Sequence, residues 1–267
     1  MFKKIIIKTF FGKKIFQRFF EWLHIISLSG MNIGGGSGVE NSGEKEVIKY
    51  IAQHIKRDTM PIVFDVGANK GDYSLEILST FKDKVKLYCF EPSKETFNLL
   101  ISNLKEYKDV KMYNFGFDQS NRISALYSDR KGSGLASVFN RKLDHFNTQL
   151  KNKEKIELKR IDDFCRDNAI NHIDLLKLDV EGNELNIFKG AEKLINSSSI
   201  DFIQFEFGEC NIDSRTFFQD FFYLLNPYYK IYRILKDGLM PIDIYETTLE
   251  SFLTTNFLAI SRKYEKN

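Results

Sequence analysis

The stretch from Pro61 to Tyr73, PIVFDVGANKGDY, constrains this chain more than any other. An apolar run (Ile62, Val63, Phe64, Val66) carries Asp65 and breaks at Gly67-Ala68-Asn69-Lys70-Gly71. Helical spacing follows at Tyr73, Leu75, Ile77 and Leu78. The pattern predicts a buried strand, a tight glycine turn and the start of a helix. Glycine lets backbone approach a ligand closely, and a helix N-terminus offers free N–H groups. In an open α/β sheet a nucleotide-like ligand belongs at the carboxyl end of such a strand.

The turn reads G-x-x-x-G with an acid two residues before the first glycine, not the dinucleotide pattern G-x-G-x-x-G. A diphosphate needs anion-binding N–H groups and no nearby carboxylate. Asp65 argues instead for a ligand that carries positive charge. S-adenosylmethionine, with an ammonium, a sulfonium and no phosphate, fits that requirement. A strand-turn-helix that holds no ligand is the plain alternative, because short glycine motifs recur often.

A chain of 267 residues, 43% hydrophobic and 28% charged, suits one α/β domain with a small extension. The net charge of +3 gives no nucleic-acid footprint. Cys89, Cys165 and Cys210 are odd in number and lack metal spacing, so they read as reduced thiols of a cytoplasmic protein. No run approaches the roughly 18 apolar residues that span a bilayer.

Residues 2–28 have helical spacing, with Ile5, Phe16, Phe19, Phe20, Leu23 and Ile26 on one side. Lys4, Lys8, Lys14 and Arg18 lie on the other, and no acid precedes Glu21. Such a helix either caps the domain or packs on a partner, or it touches an anionic membrane surface peripherally. The glycine-rich segment Gly30–Gly43 reads as a lid or a linker. Residues 1–41 therefore form an N-terminal extension and 42–267 the main domain. Ser42 starts a helix to about Ile55.

Val85–Phe90 is a second buried strand, ending at Glu91-Pro92, about 20 residues past the glycines, where a ribose would be bound. Ser93 begins the next helix, so Glu91 also reads as a helix N-terminal charge. Val110–Phe117 predicts a third strand, with Phe117 and Asp118 placed to meet an adenine or simply to turn the chain. Residues 122–161 interrupt the βα rhythm and form the candidate substrate-facing insertion. Ile173–Val180 is a fourth core strand that runs into Asp179-Val180-Glu181-Gly182, two carboxylates at a strand's carboxyl end. Lys177 shares a face with Asp179 and needs a carboxylate partner if buried. Asp201–Phe207 is the fifth strand, with Glu206 and Glu209 near its end. Tyr228–Leu235 and Asn256–Arg262 are later strands joined by a loop that Gly238 and Pro241 shape. His172 begins a strand at the opposite end of the sheet and reads as structural.

DVGANKGDYS, FEP and KLDVEGNELNIFKGA, in that order and spacing, resemble the FkbM-type branch of S-adenosylmethionine-dependent methyltransferases over roughly residues 24–262. The resemblance implies a Rossmann-like, seven-stranded, mostly parallel sheet with helices on both faces and an antiparallel last strand. It puts cofactor binding on Asp65, Gly67, Asn69, Gly71, Tyr73, Glu91, Pro92, Ser93, Phe117, Asp118 and Asp179, and the catalytic acids on Asp179 and Glu181. The acceptor it implies is a hydroxyl of a saccharide or another small polar metabolite, with no nucleic acid as partner. An Mg²⁺-assisted route through Asp179 is compatible with the motif, but no His/Cys spacing indicates a metal. Two other readings stand beside it: a nicotinamide-dependent oxidoreductase on the same fold, and a cofactor-binding protein without turnover. The oligomeric state stays open.

Overall fold

The computed structural model describes residues 10–36, 38, 42–55, 60–82 and 84–264. The chain opens with a single 3-10 turn at Lys14–Phe16 and helix α1 (Gln17–Gly30). The expected helix from residue 2 is thus seen only from Gln17. Gly12, at φ +70°, sits in a turn before it, and residues 1–9 lie outside the described set. None of the residues of α1 is buried; Phe20 and Leu28 are half-buried and the rest exposed. The segment after it is tied down: the Gly34 and Gly36 amides donate to the Thr254 carbonyl, and the Asn32 side chain donates to the Ser42 and Ile234 carbonyls.

The domain alternates helices and strands: α2 (Glu44–His54), β1 (Ile62–Val66), α3 (Asp72–Phe81), β2 (Lys86–Phe90), α4 (Lys94–Leu104) and β3 (Val110–Tyr113). Then come β4 (Gly116–Phe117), β5 (Arg122–Ser128), β6 (Asn152–Lys159), α5 (Ile161–Asp167) and β7 (Ile173–Leu178). The chain closes with α6 (Glu184–Gly190), α7 (Glu192–Asn196), β8 (Ile200–Phe207), α8 (Cys210–Ser214), α9 (Phe218–Leu225), β9 (Tyr229–Leu235), β10 (Gly238–Ile242) and β11 (Thr255–Ser261). The main sheet runs β10-β9-β11-β8-β7-β1-β2-β3. Strands β3, β2, β1, β7 and β8 are parallel, and β11 inserts antiparallel between β8 and β9, as the methyltransferase resemblance implies.

Two expectations need correction. The sheet has eight strands, not seven, because the loop read around Gly238 and Pro241 pairs as β10 on the outer side of β9. Proline is tolerated there because the strand is an edge. The single strand expected over Val110–Phe117 breaks in two. Asn114 turns its side chain onto the Glu91 and Pro92 carbonyls, and Gly116–Phe117 leaves the main sheet to pair with β6. β4, β6 and β5 form a small second sheet, so the 122–161 insertion contributes two paired strands, Arg122–Ser128 and Asn152–Lys159.

Strand alternation sends two sets of side chains to opposite faces. Phe64, Val66, Phe90, Leu176 and Leu178 face one core with Phe117, Phe164 and Phe188. Val63, Leu87, Leu175 and Phe202 face the other, under α2, α3 and α4. A polar row crosses that second face: Asp65 is paired in register with Cys89 and Lys177, and Lys177 with Gln204. Gln204 donates to Glu44 at 2.7 Å and accepts from the Tyr73 hydroxyl at 2.8 Å. Ser74 donates to Asp65 at 2.6 Å. Buried polar groups need such partners, and here they tie α2 and α3 to the sheet. Among the described residues no helix is long and apolar enough to cross a membrane. Cys89, Cys165 and Cys210 are free and buried.

Candidate active site

The carboxyl edge of β1, β2 and β7 carries the site. Gly67, at φ +80°, lies so close to β7 that a Cβ there would overlap the Asp179 carbonyl oxygen. The amides of Gly67 and Ala68 both donate to the Phe90 carbonyl at 3.0 Å, and the Asp179 amide to the Val66 carbonyl. These bonds lock three strand ends together. They also consume the N–H groups that a diphosphate would need.

Two adjoining cavities open at this edge. The first is a narrow slot, partly open to solvent, between the ends of β1, β2 and β7 and the small second sheet. Phe117, Pro92, Leu126, Val138 and Leu158 wall it, and Glu91 and Asn69 give it polarity. Glu91 accepts the Ser93 amide at 2.8 Å on one oxygen and the Asn69 amide at 3.1 Å on the other. Each oxygen keeps acceptor capacity, and burial pushes the carboxyl up to about 7. The side-chain Oδ1 of Asn69 is buried without a hydrogen-bond partner among the described residues. An orphaned acceptor in a ligand cavity fits a ligand that brings donors.

The second cavity is charged. Asp179, Glu181, Lys177, Arg141, Glu206 and Tyr73 line it, and it shares Gly67, Asn69, Ser133, Gly134, Asp179 and Glu181 with the first. The acidic turn between β7 and α6 is rigidly held. Glu184 accepts the Val180 and Gly182 amides at 3.1 and 3.2 Å, and the Ser137 hydroxyl donates to the Glu181 carbonyl at 2.7 Å. Glu181 sits at φ +55°, a backbone state rare outside glycine. Strain of this kind is kept where surrounding structure over-determines it.

Both expected catalytic acids carry cations. Lys177 donates to Asp179 at 2.9 Å and packs over the Tyr73 ring, and Arg141 holds Glu181. Burial, then the charge of Asp179, pushes Glu181 up to about 8. Glu206, at the end of β8, is partly buried in the same cavity with no side-chain hydrogen bond or ion pair among the described residues. Burial and the neighbouring Asp179, Glu181 and Glu184 hold its carboxyl well above the usual range.

Of the residues expected to bind cofactor, Gly67, Asn69, Glu91, Pro92, Phe117 and Asp179 line the first cavity, and Tyr73 lines the second. Four do not reach either. Asp65 is fully buried on the α3 face, bonded to Ser74, because strand alternation turns it onto that face and not out of the strand's carboxyl end. Gly71 serves the packing of α3 on α4: a Cβ would stand 3.0 Å from Leu100. Ser93 lies on the far side of Glu91, in a neighbouring groove, and contributes its amide. Asp118 is buried and engaged by Arg122 and the Gln119 amide, so it is not placed for adenine. His172 bonds Asp201 at 2.9 Å at the amino end of the sheet, away from both cavities. Arg141, Ser133 and Gly134 were not foreseen. They come from the 129–141 loop of the insertion, which closes the first cavity as well as facing the second. Glu206 had a signal, a carboxylate at a core strand's carboxyl end.

This fold, with acids and a glycine turn at one sheet edge, is a Rossmann-like α/β architecture. The chain belongs to the methyltransferase FkbM domain family, whose model matches residues 65–228. A 2-O-methyltransferase, NoeI, of Sinorhizobium fredii is 22% identical over 147 residues, 52% of this chain and 60% of its own length. Methyltransferase sdnD of Sordaria araneosa is 30% identical over 159 residues, covering 50% of this chain and 61% of that one. The hexuronic acid methyltransferase AglP of Haloferax volcanii is 25% identical over 170 residues, 62% of this chain and 64% of its own. The chain thus spans less than two thirds of the length of each of these relatives.

Proposed function

We propose that this chain transfers a methyl group from S-adenosylmethionine to a hydroxyl of a saccharide or another small polar metabolite. The observation that carries the reading is the first cavity: a slot walled by Phe117, Leu126 and Leu158, with Glu91 at one side and Asn69, whose Oδ1 has no partner among the described residues, on the rim shared with the second cavity. Glu91 would accept from the ribose hydroxyls, and Phe117, Leu126 and Leu158 would sandwich the adenine. Asn69 Oδ1 would accept from the ammonium. The cofactor, when bound, supplies an electrophilic methyl on a sulfonium.

The residues then have distinct tasks. The second cavity holds the acceptor so that its hydroxyl oxygen attacks the methyl in line; positioning supplies much of the rate. The bound donor would give up its methyl and be left as a neutral thioether, so the proton of the acceptor hydroxyl is what the chain's own residues must take. The hydroxyl proton passes to a carboxylate. Asp179 and Glu181 hold cations, so the base falls to Glu206, which is free to accept it. A raised carboxyl is a better match to a hydroxyl proton than an ordinary one. An Mg²⁺ route fits these residues poorly, because Lys177 and Arg141 already place positive charge on the acids it would use.

Family membership and the consumed N–H groups of the glycine turn weigh against a nicotinamide coenzyme. The saccharide preference rests on relatives named as a 2-O-methyltransferase and a hexuronic acid methyltransferase. The test is incubation with methyl-labelled cofactor and a panel of neutral and uronic oligosaccharides. Label in the saccharide fraction supports the reading. Label only in protein or lipid would move the acceptor class, and binding without transfer to any fraction would return the chain to a non-catalytic role.

A further inference from the structure

Helix α1 lines neither cavity, and none of its residues is buried. Most of its apolar residues form one stripe: Phe19, Trp22, Leu23 and Ile26 recur at helical spacing, flanked by Phe16 and Phe20, while Ile25 stands apart beside Arg18 and Glu21. Phe19, Trp22, Leu23 and Ile26 are 54%, 58%, 43% and 46% exposed, and Phe10 and Phe11, just before, are exposed as well. Gln17, Arg18, Glu21 and His24 occupy the opposite side. A contiguous aromatic face in water marks a surface that something covers.

Charge decides what covers it. The sequence before Glu21 contains Lys3, Lys4, Lys8, Lys13, Lys14 and Arg18 and no acid. A second copy would bring the same positive excess to the contact, whereas an anionic surface neutralises it. The stripe is rich in Phe and carries the chain's single tryptophan, a composition suited to a membrane interface. At about 1.5 Å per residue α1 is roughly 21 Å long, short of the roughly 30 Å hydrocarbon core, so it can lie on a bilayer but not span one.

We propose that α1 and the basic turn before it dock the protein on an anionic lipid surface, the aromatic stripe entering the interface and Lys13, Lys14 and Arg18 meeting the headgroups. The tethers from Asn32, Gly34 and Gly36 to the domain then hold the domain close to that surface.

The test uses the full chain with phosphatidylcholine vesicles, with and without phosphatidylglycerol. Cosedimentation is read together with the emission of Trp22. The expected result is binding to the anionic vesicles alone, weakened by salt, with a blue shift of the Trp22 emission. The triple variant Lys13→Gln, Lys14→Gln, Arg18→Gln should partition on the order of a hundredfold more weakly, at about 1 kcal/mol per cation. Phe19→Asp with Leu23→Asp should abolish binding and leave cofactor affinity unchanged. Equal binding to both vesicle types, or none to either, overturns the proposal. So does a dimer in solution that the Phe19→Asp, Leu23→Asp variant dissociates while vesicles are ignored.

Discussion

The two cavities share a rim yet are built in opposite ways. The first is a slot with one apolar wall whose key polar groups, Asn69 and Glu91, come from two short motifs that follow consecutive core strands. The second is a charged bowl assembled from distant segments: Glu44 from α2, Arg141 from the insertion, Lys177 from β7 and Asp179 from the turn after it, Glu206 from β8. A ligand common to many enzymes can be held by local turns at strand ends. An acceptor peculiar to one enzyme is met by side chains that only the finished fold brings together. In the proposed function the first cavity decides whether a methyl donor binds, and the second decides what receives the methyl and where its proton goes.

The sharpest way to break that division is Glu206→Gln. Loss of a positioned general base costs about 10²- to 10⁴-fold in turnover. Cofactor affinity should stay at the wild-type value, since Glu206 does not line the first cavity. The wild-type rate should rise with pH along a limb displaced above the ordinary carboxylate range, because the base must lose its proton, and the variant should lack that limb. Stopped transfer assays across pH, beside calorimetry, would read both; an unchanged turnover would move the base to another acid.

Glu91→Gln tests the other side. Losing a charged acceptor to the ribose should weaken cofactor binding by about tenfold to a hundredfold, the worth of roughly 1.5–3 kcal/mol for a charge-assisted hydrogen bond. Turnover at saturating cofactor should change little. Wild-type affinity should also climb as pH passes about 7, where Glu91 ionises, and the variant should be flat there. A variant that kept its affinity but lost acceptor binding would reverse the roles of the two cavities.

The smallest effect is on stability. Glu91 and Glu184 are held up at about 7 and Glu181 at about 8, all from 4.5. The folded state therefore binds more protons than the unfolded one between these values, and stability falls as pH rises through that window. Thermal unfolding without ligand should show this decline. Glu184→Gln should flatten it by an amount on the order of 1 kcal/mol. A stability that rose with pH from about 5 to about 8 would contradict the burial of these acids.

What could be read from the amino acids follows the same division. The strand-turn-helix at Pro61–Tyr73, the acid of Glu91 and the pair Lys177–Asp179 were legible because neighbours in sequence fix them. Asp65 does not line either cavity for a physical reason: it stands inside β1, where alternation points it at Ser74 and not out of the strand end. The break after Tyr113 was hidden because its cause is Asn114 reaching the Glu91 and Pro92 carbonyls, a contact between strands. Arg141 gave no local sign, since its partner Glu181 lies far along the chain. β10 carried a proline and a glycine, the marks of a loop, and pairs because it needs only one neighbour.

The central claim is that the slot bearing Glu91 and Asn69 receives a cationic methyl donor. Isothermal titration of the folded chain near neutral pH with S-adenosylmethionine, and separately with a nicotinamide dinucleotide, tests it. The account predicts saturable one-site binding of the first and no heat from the second. No binding of S-adenosylmethionine, or a dinucleotide that binds in its place, would contradict it.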